Sequence, residues 1–503
     1  MLNPKNLLVA FLLLTCCAGA GAKSRQPAMA GGFYPAEPDR LRTMVNGYIE
    51  GATVPKINGR VLAVIAPHAG YVYSGSVAGH AYSILRNRKI RRVIVISPCH
   101  VDAFAGAAVY DGDEYLTPLG VIRVDRAFGE ALVKRNTRLA LSSRGHETRT
   151  AEGRGEHALE VQLPFLQQAL GDFKLVPIIM GESSYSTCRA LGRALARTIQ
   201  DQETVIVASS DLSHFHPYDE ATRLDSYLLG ALRDYDYFSL HRNLEARVWE
   251  ACGGGPIVAT MIACEQLGAC QARVLAKANS GDVITGDRKS VVGYAAAAFV
   301  QSDEASSQAR EYQLESQEKT RLLQIARQSA EAAVKGASFP IQSHGMVPLS
   351  EPRGAFVTLT IRGQLRGCIG YTSPIQPLGD TVRTAAMHAA LHDNRFSPVS
   401  REELPLLDYE VSVLSPVRLV KDPALVRVGR DGLVIRRGEH EGLLLPQVAS
   451  ERGWDRETFL RQTCVKAGLP PNAWQDPETD IFGFTALVFG EKTLSTNTTK
   501  GHE

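Results

Sequence analysis

The sequence carries no charge bias. Across 503 residues, 55 Lys and Arg stand against 53 Asp and Glu, giving a formal net charge of +2. A chain whose main partner is nucleic acid normally shows a basic face in this balance, so that class is excluded. Cysteine is scarce, nine in all, too few for a disulfide-held scaffold of this length. Internal repeats of the solenoid kind are absent. Long apolar runs are absent too, apart from one short stretch at the N-terminus, so no stable membrane span is expected. What remains is globular in composition, with 44% hydrophobic and 21% charged residues. That excludes a disordered chain, a collagen-like repeat and a polytopic membrane protein. The length itself predicts about three domains, or two if one is large.

The first residues read as a leader and not as part of a fold. Lys5 precedes an apolar run from Leu7 to Leu14, and small residues end in Ala20-Gly21-Ala22. A positive start, a short apolar core and an A-x-A site make residues 1–22 a secretory signal peptide, with export to the periplasm expected. Leu13-Leu14-Thr15-Cys16-Cys17 loosely resembles a lipobox, which gives lipid anchoring at Cys16 or Cys17 as the alternative. Cleavage after Ala22 leaves Cys99, Cys188, Cys252, Cys264, Cys270, Cys368 and Cys464. An odd number in an oxidising compartment means at least one thiol that is unpaired, reactive or bound to metal.

Two blocks follow. From 27 to 301, Val- and Ile-rich runs at Val61–Ala66, Arg92–Ser97, Leu175–Met180, Thr204–Ser209, Arg273–Ala276 and Val291–Val300 alternate with helical stretches. The helices are expected at His157–Leu170, Cys188–Ile199 and Ala221–Asp234, so the block reads as α/β with a largely parallel sheet. Residues 302–311 are polar and aperiodic, a linker. From 312 to 490 a helix at Ser316–Lys335 precedes strands at Gly354–Ile361, Gln364–Tyr371, Asp408–Leu414 and Gly432–Arg437, a smaller α+β domain. Residues 491–503 form a polar tail.

The polar residues of the first block fall in one kind of place. Val61–Ala66 runs into Pro67-His68-Ala-Gly70, Arg92–Ser97 into Pro98-Cys99-His100, and Thr204–Ser209 into Ser210-Asp211-Leu-Ser-His214. Three strands thus deliver an imidazole just past their carboxyl ends, the edge where open α/β sheets bind ligands. Cys252-Gly-Gly-Gly-Pro256 places a thiol before the apolar helix Ile257–Leu267, and a helix N-terminus favours thiolate. Two imidazoles with a thiolate or carboxylate on separate loops form a transition-metal site with an open position. Asp211 and His214 would stand beside it as acid/base or ligand-orienting groups, with an Asx turn and helix cap as the bland reading of Asp211. His157 and Glu160, three apart at a helix start, share a face that would reach the same crevice, with ordinary helix capping as the bland reading of Glu160.

In the second block Cys368 sits between glycines beside Arg366, and an adjacent cation favours thiolate, so it is a candidate nucleophile; a small buried residue in a Gly-rich turn is the competing reading. His388 and His392 are four apart on a helix, but no third ligand is in view.

The segments Gln26–Pro35, Ala66-Pro-His68-Ala-Gly-Tyr71, Ser97-Pro-Cys-His100, Glu156-His157 and Ser209-Ser-Asp211-Leu-Ser-His214 resemble the Memo family, in the right order across the first block. That resemblance implies the fold of class III extradiol dioxygenases, with His68, His100 and Cys252 as the three metal ligands. The dioxygenases use two histidines and a glutamate to hold ferrous iron. A thiolate in the third place is softer and admits copper or zinc as well as iron, so catechol cleavage does not carry over directly. Leu365-Arg-Gly-Cys368-Ile-Gly-Tyr371 and Asp393-Asn-Arg395-Phe396-Ser-Pro398 resemble the AMMECR1 domain family. Together the two resemblances imply the AmmeMemoRadiSam set, and with it a functional link to a radical-SAM protein. Such enzymes are cytoplasmic and oxygen-sensitive, which is in tension with the leader. Two functions are expected from these residues. One is a metal-dependent, dioxygenase-like redox protein acting on a small substrate, with His214 as acid/base. The other is a non-catalytic module that binds copper or a peptide.

Overall fold

The computed structural model describes residues 22–269, 271–283, 287–301, 312–340 and 347–491. The expected signal peptide, the Cys16–Cys17 pair, Cys270, the linker and nearly all of the polar tail lie outside the described residues.

The first domain is built on a nine-stranded sheet. Its spatial order is His214–His216, Val291–Gln301, Arg60–Ala66, Thr204–Ser209, Arg92–Pro98, Lys174–Met180, Ala107–Val109 and Leu139–Leu141, with Gln271–Asn279 paired on Val291–Gln301. The four central strands are mutually parallel and almost wholly buried, which is why they read in the sequence as unbroken Val/Ile runs. The flanks differ from the parallel expectation. Val291–Gln301 is antiparallel to Arg60–Ala66, and Ala107–Val109 is antiparallel to Lys174–Met180.

Apolar cores fill both faces of this sheet. One face packs the helices Pro38–Gly51, Tyr71–Ser83 and Leu163–Leu170. The other packs Tyr185–Thr198, Tyr218–Arg233, Tyr237–Glu245 and Gly254–Gln266. The helix expected over His157–Leu170 is shorter: a 3-10 turn at Glu160–Gln162 precedes the α-helix Leu163–Leu170, whose first turn carries Pro164. The chain also enters the fold three residues before 27. Ser24–Arg25 pairs with Glu114–Thr117, and the Arg25 side chain is buried against Glu160.

The second domain is an antiparallel sheet in the order Gln364–Tyr371, Ala355–Ile361, Leu407–Leu414, Asp480–Gly490, Asp431–Arg437 and His440–Leu444, with Arg418–Leu419 paired on Asp480–Gly490. Helices Ser316–Val334 and Leu378–Leu391 cover one face. At the other face Leu414, Val434, Phe482 and Phe484 join the core of the first domain, so apolar packing is continuous across the seam. Asp480 clasps it: its carboxylate accepts from Arg189 Nε at 2.8 Å, Arg193 Nη2 at 2.6 Å and the Tyr185 hydroxyl at 2.8 Å. No helix among the described residues is long and apolar enough to cross a membrane.

Candidate metal centre

The parallel register places the strand ends side by side. Ala66 pairs with Ser209, and Ile96 pairs with Ala208, so the three loops that follow leave the sheet together. His68 is fully buried, His100 is the most open, and His157 lies between. One ligand atom from each falls within 4.8 Å of the others. The thiol of Cys252 stands against His68, with Sγ 3.0 Å from Nε2. The cluster therefore joins His68 and His100 to His157, which the sequence reading placed only near the crevice, while Cys252 touches it through His68.

Hydrogen bonds fix which nitrogen each ring presents. The Ser209 hydroxyl donates to the Ala158 carbonyl at 2.6 Å and accepts from the Gln162 amide at 2.7 Å. Its remaining lone pair, 2.9 Å from His68 Nδ1, must accept, so His68 is protonated at Nδ1 and its Nε2 carries a lone pair. His100 Nδ1 lies 3.1 Å from the Glu156 carboxylate and donates to it, which leaves His100 Nε2 free. Anchoring one ring nitrogen to a carboxylate or hydroxyl while the other points inward is how metal-ligating histidines are held.

Burial disfavours the charged form of two of the rings. Burial takes the His68 imidazole well below its usual value, and the neighbouring His157, His100 and His214 push it the same way. Burial likewise lowers His157 to about 4, with Glu156 opposing and His100 assisting. Burial would raise Glu156, but its bond to His100, the nearby His157 and the Ala158 N–H together bring it down to about 2. Imidazoles disfavoured in their charged form at His68 and His157, beside a fixed carboxylate, suit a cation.

Cys252 departs from expectation. Its burial, followed by repulsion from Asp211, pushes the thiol well above the ordinary range, and the helix N-terminus does not reverse this. With the protein's own groups alone it is a neutral thiol, and a bound cation is what would ionise it. Gly253 makes the turn possible, since a Cβ there would stand 2.1 Å from the Ser209 carbonyl oxygen.

Asp211 caps no helix. It accepts from the His68 backbone N–H at 2.7 Å and so pins the ligand loop, while burial lifts its carboxyl to about 7. His214 donates Nδ1–H to the Leu212 carbonyl at 2.8 Å, leaving Nε2 free, and burial lowers its pKa. Asp211 touches the cluster through that backbone bond, and His214 is near enough to lower His68 electrostatically. Glu160 does not: it is buried with Arg25, the Tyr34 hydroxyl and the N–H groups of Ala28 and Met29, on the far side of the helical turn from His157.

Among the described residues, the second domain contributes nothing to this cluster. Cys368 is half-buried on Gln364–Tyr371, its sulfur accepting from the Thr358 hydroxyl at 3.3 Å. The cation beside it is not Arg366, whose guanidinium is taken by Glu403 and the Ser397 carbonyl, but Arg395, which bonds the Cys368 carbonyl at 3.0 Å. His388 bonds the Tyr371 hydroxyl, and its ring lies 5.2 Å from His392 with no third ligand group among the described residues. All six described cysteines are unpaired.

Comparison with known proteins agrees with this division of the chain. The family of Memo-like proteins matches residues 25–298, and the AMMECR1 family matches residues 323–489. A MEMO1 family protein from Methanosarcina barkeri is 37% identical over 275 residues, covering 54% of this chain and 98% of that protein. A MEMO1 family protein from Methanopyrus kandleri is 35% identical over 286 residues, covering 55% of this chain and 98% of the other. A protein from Methanothermobacter thermautotrophicus is 49% identical over 178 residues, covering 34% of this chain and 92% of its own length.

Proposed function

The chain belongs to the Memo family through residues 25–298 and continues into an AMMECR1 domain, and from that premise we propose that it is a metal-dependent, dioxygenase-like redox protein. The observation that carries this reading is the convergence of His68, His100 and His157 with Cys252 at the carboxyl edge of the parallel strands. The residues fit an ion: burial disfavours the charged form of His68 and His157, His68 and His100 are anchored through Nδ1, and one ligand atom of each histidine lies within 4.8 Å of the others. Iron or copper suits the mixed nitrogen and sulfur donors, and zinc is the third option. A redox-active ion would supply electron transfer to or from a small substrate, where zinc would supply Lewis acidity alone.

The chain's own residues would do the rest. His68 and His100 hold the ion, with Ser209 and Glu156 fixing their tautomers. His214, with Nε2 free, takes or returns a proton on the substrate. Asp211 keeps the His68 loop in place. Cys368 stands in the second domain as a separate candidate nucleophile. By its resemblance to the AmmeMemoRadiSam set, the protein would share a pathway with a radical-SAM enzyme.

A second reading rests on His157. With His157 beside His68 and His100, and the Cys252 thiol against His68, protein donors would close the site, and a closed set holds copper or zinc without turnover. Metal analysis of the full chain beside His68→Ala, Cys252→Ser and His157→Ala separates the readings. Loss of metal in the first two, with retention in His157→Ala, is the expected result, since His157 would then leave a coordination position open. Full metal content in both His68→Ala and Cys252→Ser would remove the site altogether. Loss in all three, with no oxygen uptake on a panel of catechols, would favour the binding module.

A further inference from the structure

One buttress of the metal cluster begins outside the expected domain bounds, at Ser24. Residues 24–34 precede the first helix, Pro38–Gly51, and only Ser24 and Arg25 among them pair as a strand, beside Glu114 and Tyr115. Two residues are fewer than a strand usually has, so side chains must hold this segment in place.

Arg25 does most of the holding. Its side chain is 5% exposed and that of Glu160 not at all. Arg25 Nε donates to the His146 carbonyl at 3.1 Å, Nη1 to Glu160 and to the Gln26 carbonyl at 3.0 Å, and Nη2 to the Glu156 carbonyl at 2.7 Å. Glu160 accepts in turn from the N–H groups of Ala28 and Met29, each at 2.8 Å, and from the Tyr34 hydroxyl at 2.5 Å. A planar guanidinium makes such a set of bonds at once, and an ammonium on a flexible stem does not.

The bond to the Glu156 carbonyl bears on the cluster. The Glu156 carboxylate accepts from the His100 backbone N–H, from His100 Nδ1 at 3.1 Å, and from the His157 and Ala158 N–H groups, each at 2.9 Å. Two residues on, the Ala158 carbonyl takes the Ser209 proton on which the His68 tautomer depends. Holding the backbone at Glu156 therefore holds the supports of all three histidines. The segment also reaches two of their loops directly. The Phe33 ring lies 4.8 Å from the His157 ring, and the Phe33 carbonyl accepts from the Tyr71 N–H at 2.8 Å, three residues past His68.

We propose that Arg25 is a positioning residue of the metal centre, and that docking of residues 24–34 and metal binding strengthen one another. This rests on the reading of the cluster as a metal site, and extends that site to a segment that supplies no ligand. By linkage, the factor in metal affinity that the docked segment confers is returned by the metal as stability of docking.

Co²⁺ alone is the probe, read by its visible absorption and by competition with a chelator of known affinity. Arg25→Lys keeps a cation for Glu160 and gives up the joint hold on the carbonyls. Phe33→Leu removes the ring from His157 and leaves Arg25 in place. Each should melt cooperatively, lose about 10–100-fold in Co²⁺ affinity and alter the cobalt spectrum. In the wild type, Co²⁺ should slow hydrogen exchange at the Ala28, Met29 and Tyr71 N–H groups at least about tenfold. Exchange at the Cys368 N–H, held by Asp393 in the second domain, should stay unchanged. Metal-free protein gives a separate arm: long-range proton–nitrogen signals of the His100 and His157 rings should move in Arg25→Lys, while those of His388 stay in place. Equal Co²⁺ affinity in a folded Arg25→Lys, or exchange at Ala28 and Met29 that ignores the metal, would overturn the proposal and leave the metal reading standing. Should Arg25→Lys not fold, Phe33→Leu and the wild-type exchange decide in the same way. A wild type that binds no Co²⁺ would remove the metal reading and the coupling with it, and unmoved ring signals in the metal-free variant would then refute the positioning role as well.

Discussion

At the scale of single residues, a few hydrogen bonds decide what the cluster can hold. Ser209 has one proton and two lone pairs, and all three are assigned: Ala158 takes the proton, while Gln162 and His68 fill the lone pairs. His68 therefore has no freedom of tautomer. Asp225 has a comparable role in the neighbouring loop. It sits on the helix Tyr218–Arg233 and accepts from the Ser213 N–H at 3.0 Å, tethering the segment that carries His214. Burial raises the Asp225 carboxyl from 3.8 to about 6, against the pull of that N–H. Because the folded value is the higher one, the protonated form is favoured on folding. Its contribution is complete below the unfolded value and lost as pH rises through about 6. Asp225→Asn keeps a carbonyl acceptor and removes the charge. Its stability relative to wild type should therefore improve by about 2–3 kcal/mol between pH 4 and pH 7. Urea unfolding of both proteins at the two pH values measures this, and a difference that does not change with pH would show that Asp225 does not titrate in this range.

At the scale of elements, the site is a consequence of strand register and one glycine turn. The four central strands were legible in the sequence because burial on both faces forces continuous apolar runs, and their bounds agree to within a residue. His68 and His100 were legible for the same reason, as imidazoles two residues past such a run. His157 was not, because it precedes a 3-10 turn and reaches the cluster only through the fold around Glu156. The adjacent carboxylate in Glu156-His157 was the available signal. The short strands Ala107–Val109 and Leu139–Leu141 were missed because three residues are too few to show periodicity. The Cys252 turn is where an element-scale change should act on the metal. Gly253→Ala would drive a methyl into the Ser209 carbonyl and the Ser210 side chain, so the turn must shift. Metal affinity is expected to fall about 10–100-fold with the fold retained, as read by competition with a chelator of known affinity. An unchanged affinity would mean that the turn does not set the position of Cys252.

At the scale of the whole molecule, the seam makes two family domains into one cooperative body. Nothing in the sequence announces this, since Tyr185 and Asp480 are 295 positions apart. Asp480 is 3% exposed and compensates two arginines at once. Asp480→Ala would leave Arg193 with only the Pro477 carbonyl and Arg189 with that carbonyl and Glu478, and breaking a buried pair from one side costs up to about 3–5 kcal/mol. Calorimetry should then show the single unfolding transition separate into two, one for each domain. A single transition at the wild-type temperature would mean that the clasp contributes nothing to the union. The position of Asp480 also sets an order in time. It opens Asp480–Gly490, the last strand of the described chain, and Phe482 on that strand covers Tyr237 and Phe238 of the first domain. A ribosome delivers the first domain long before this cover exists. During synthesis, Arg189, Arg193 and the apolar patch around Phe238 wait in water for the closing strand. The nascent first domain is therefore the sticky stage of this protein's life, and the period in which a chaperone has something to hold.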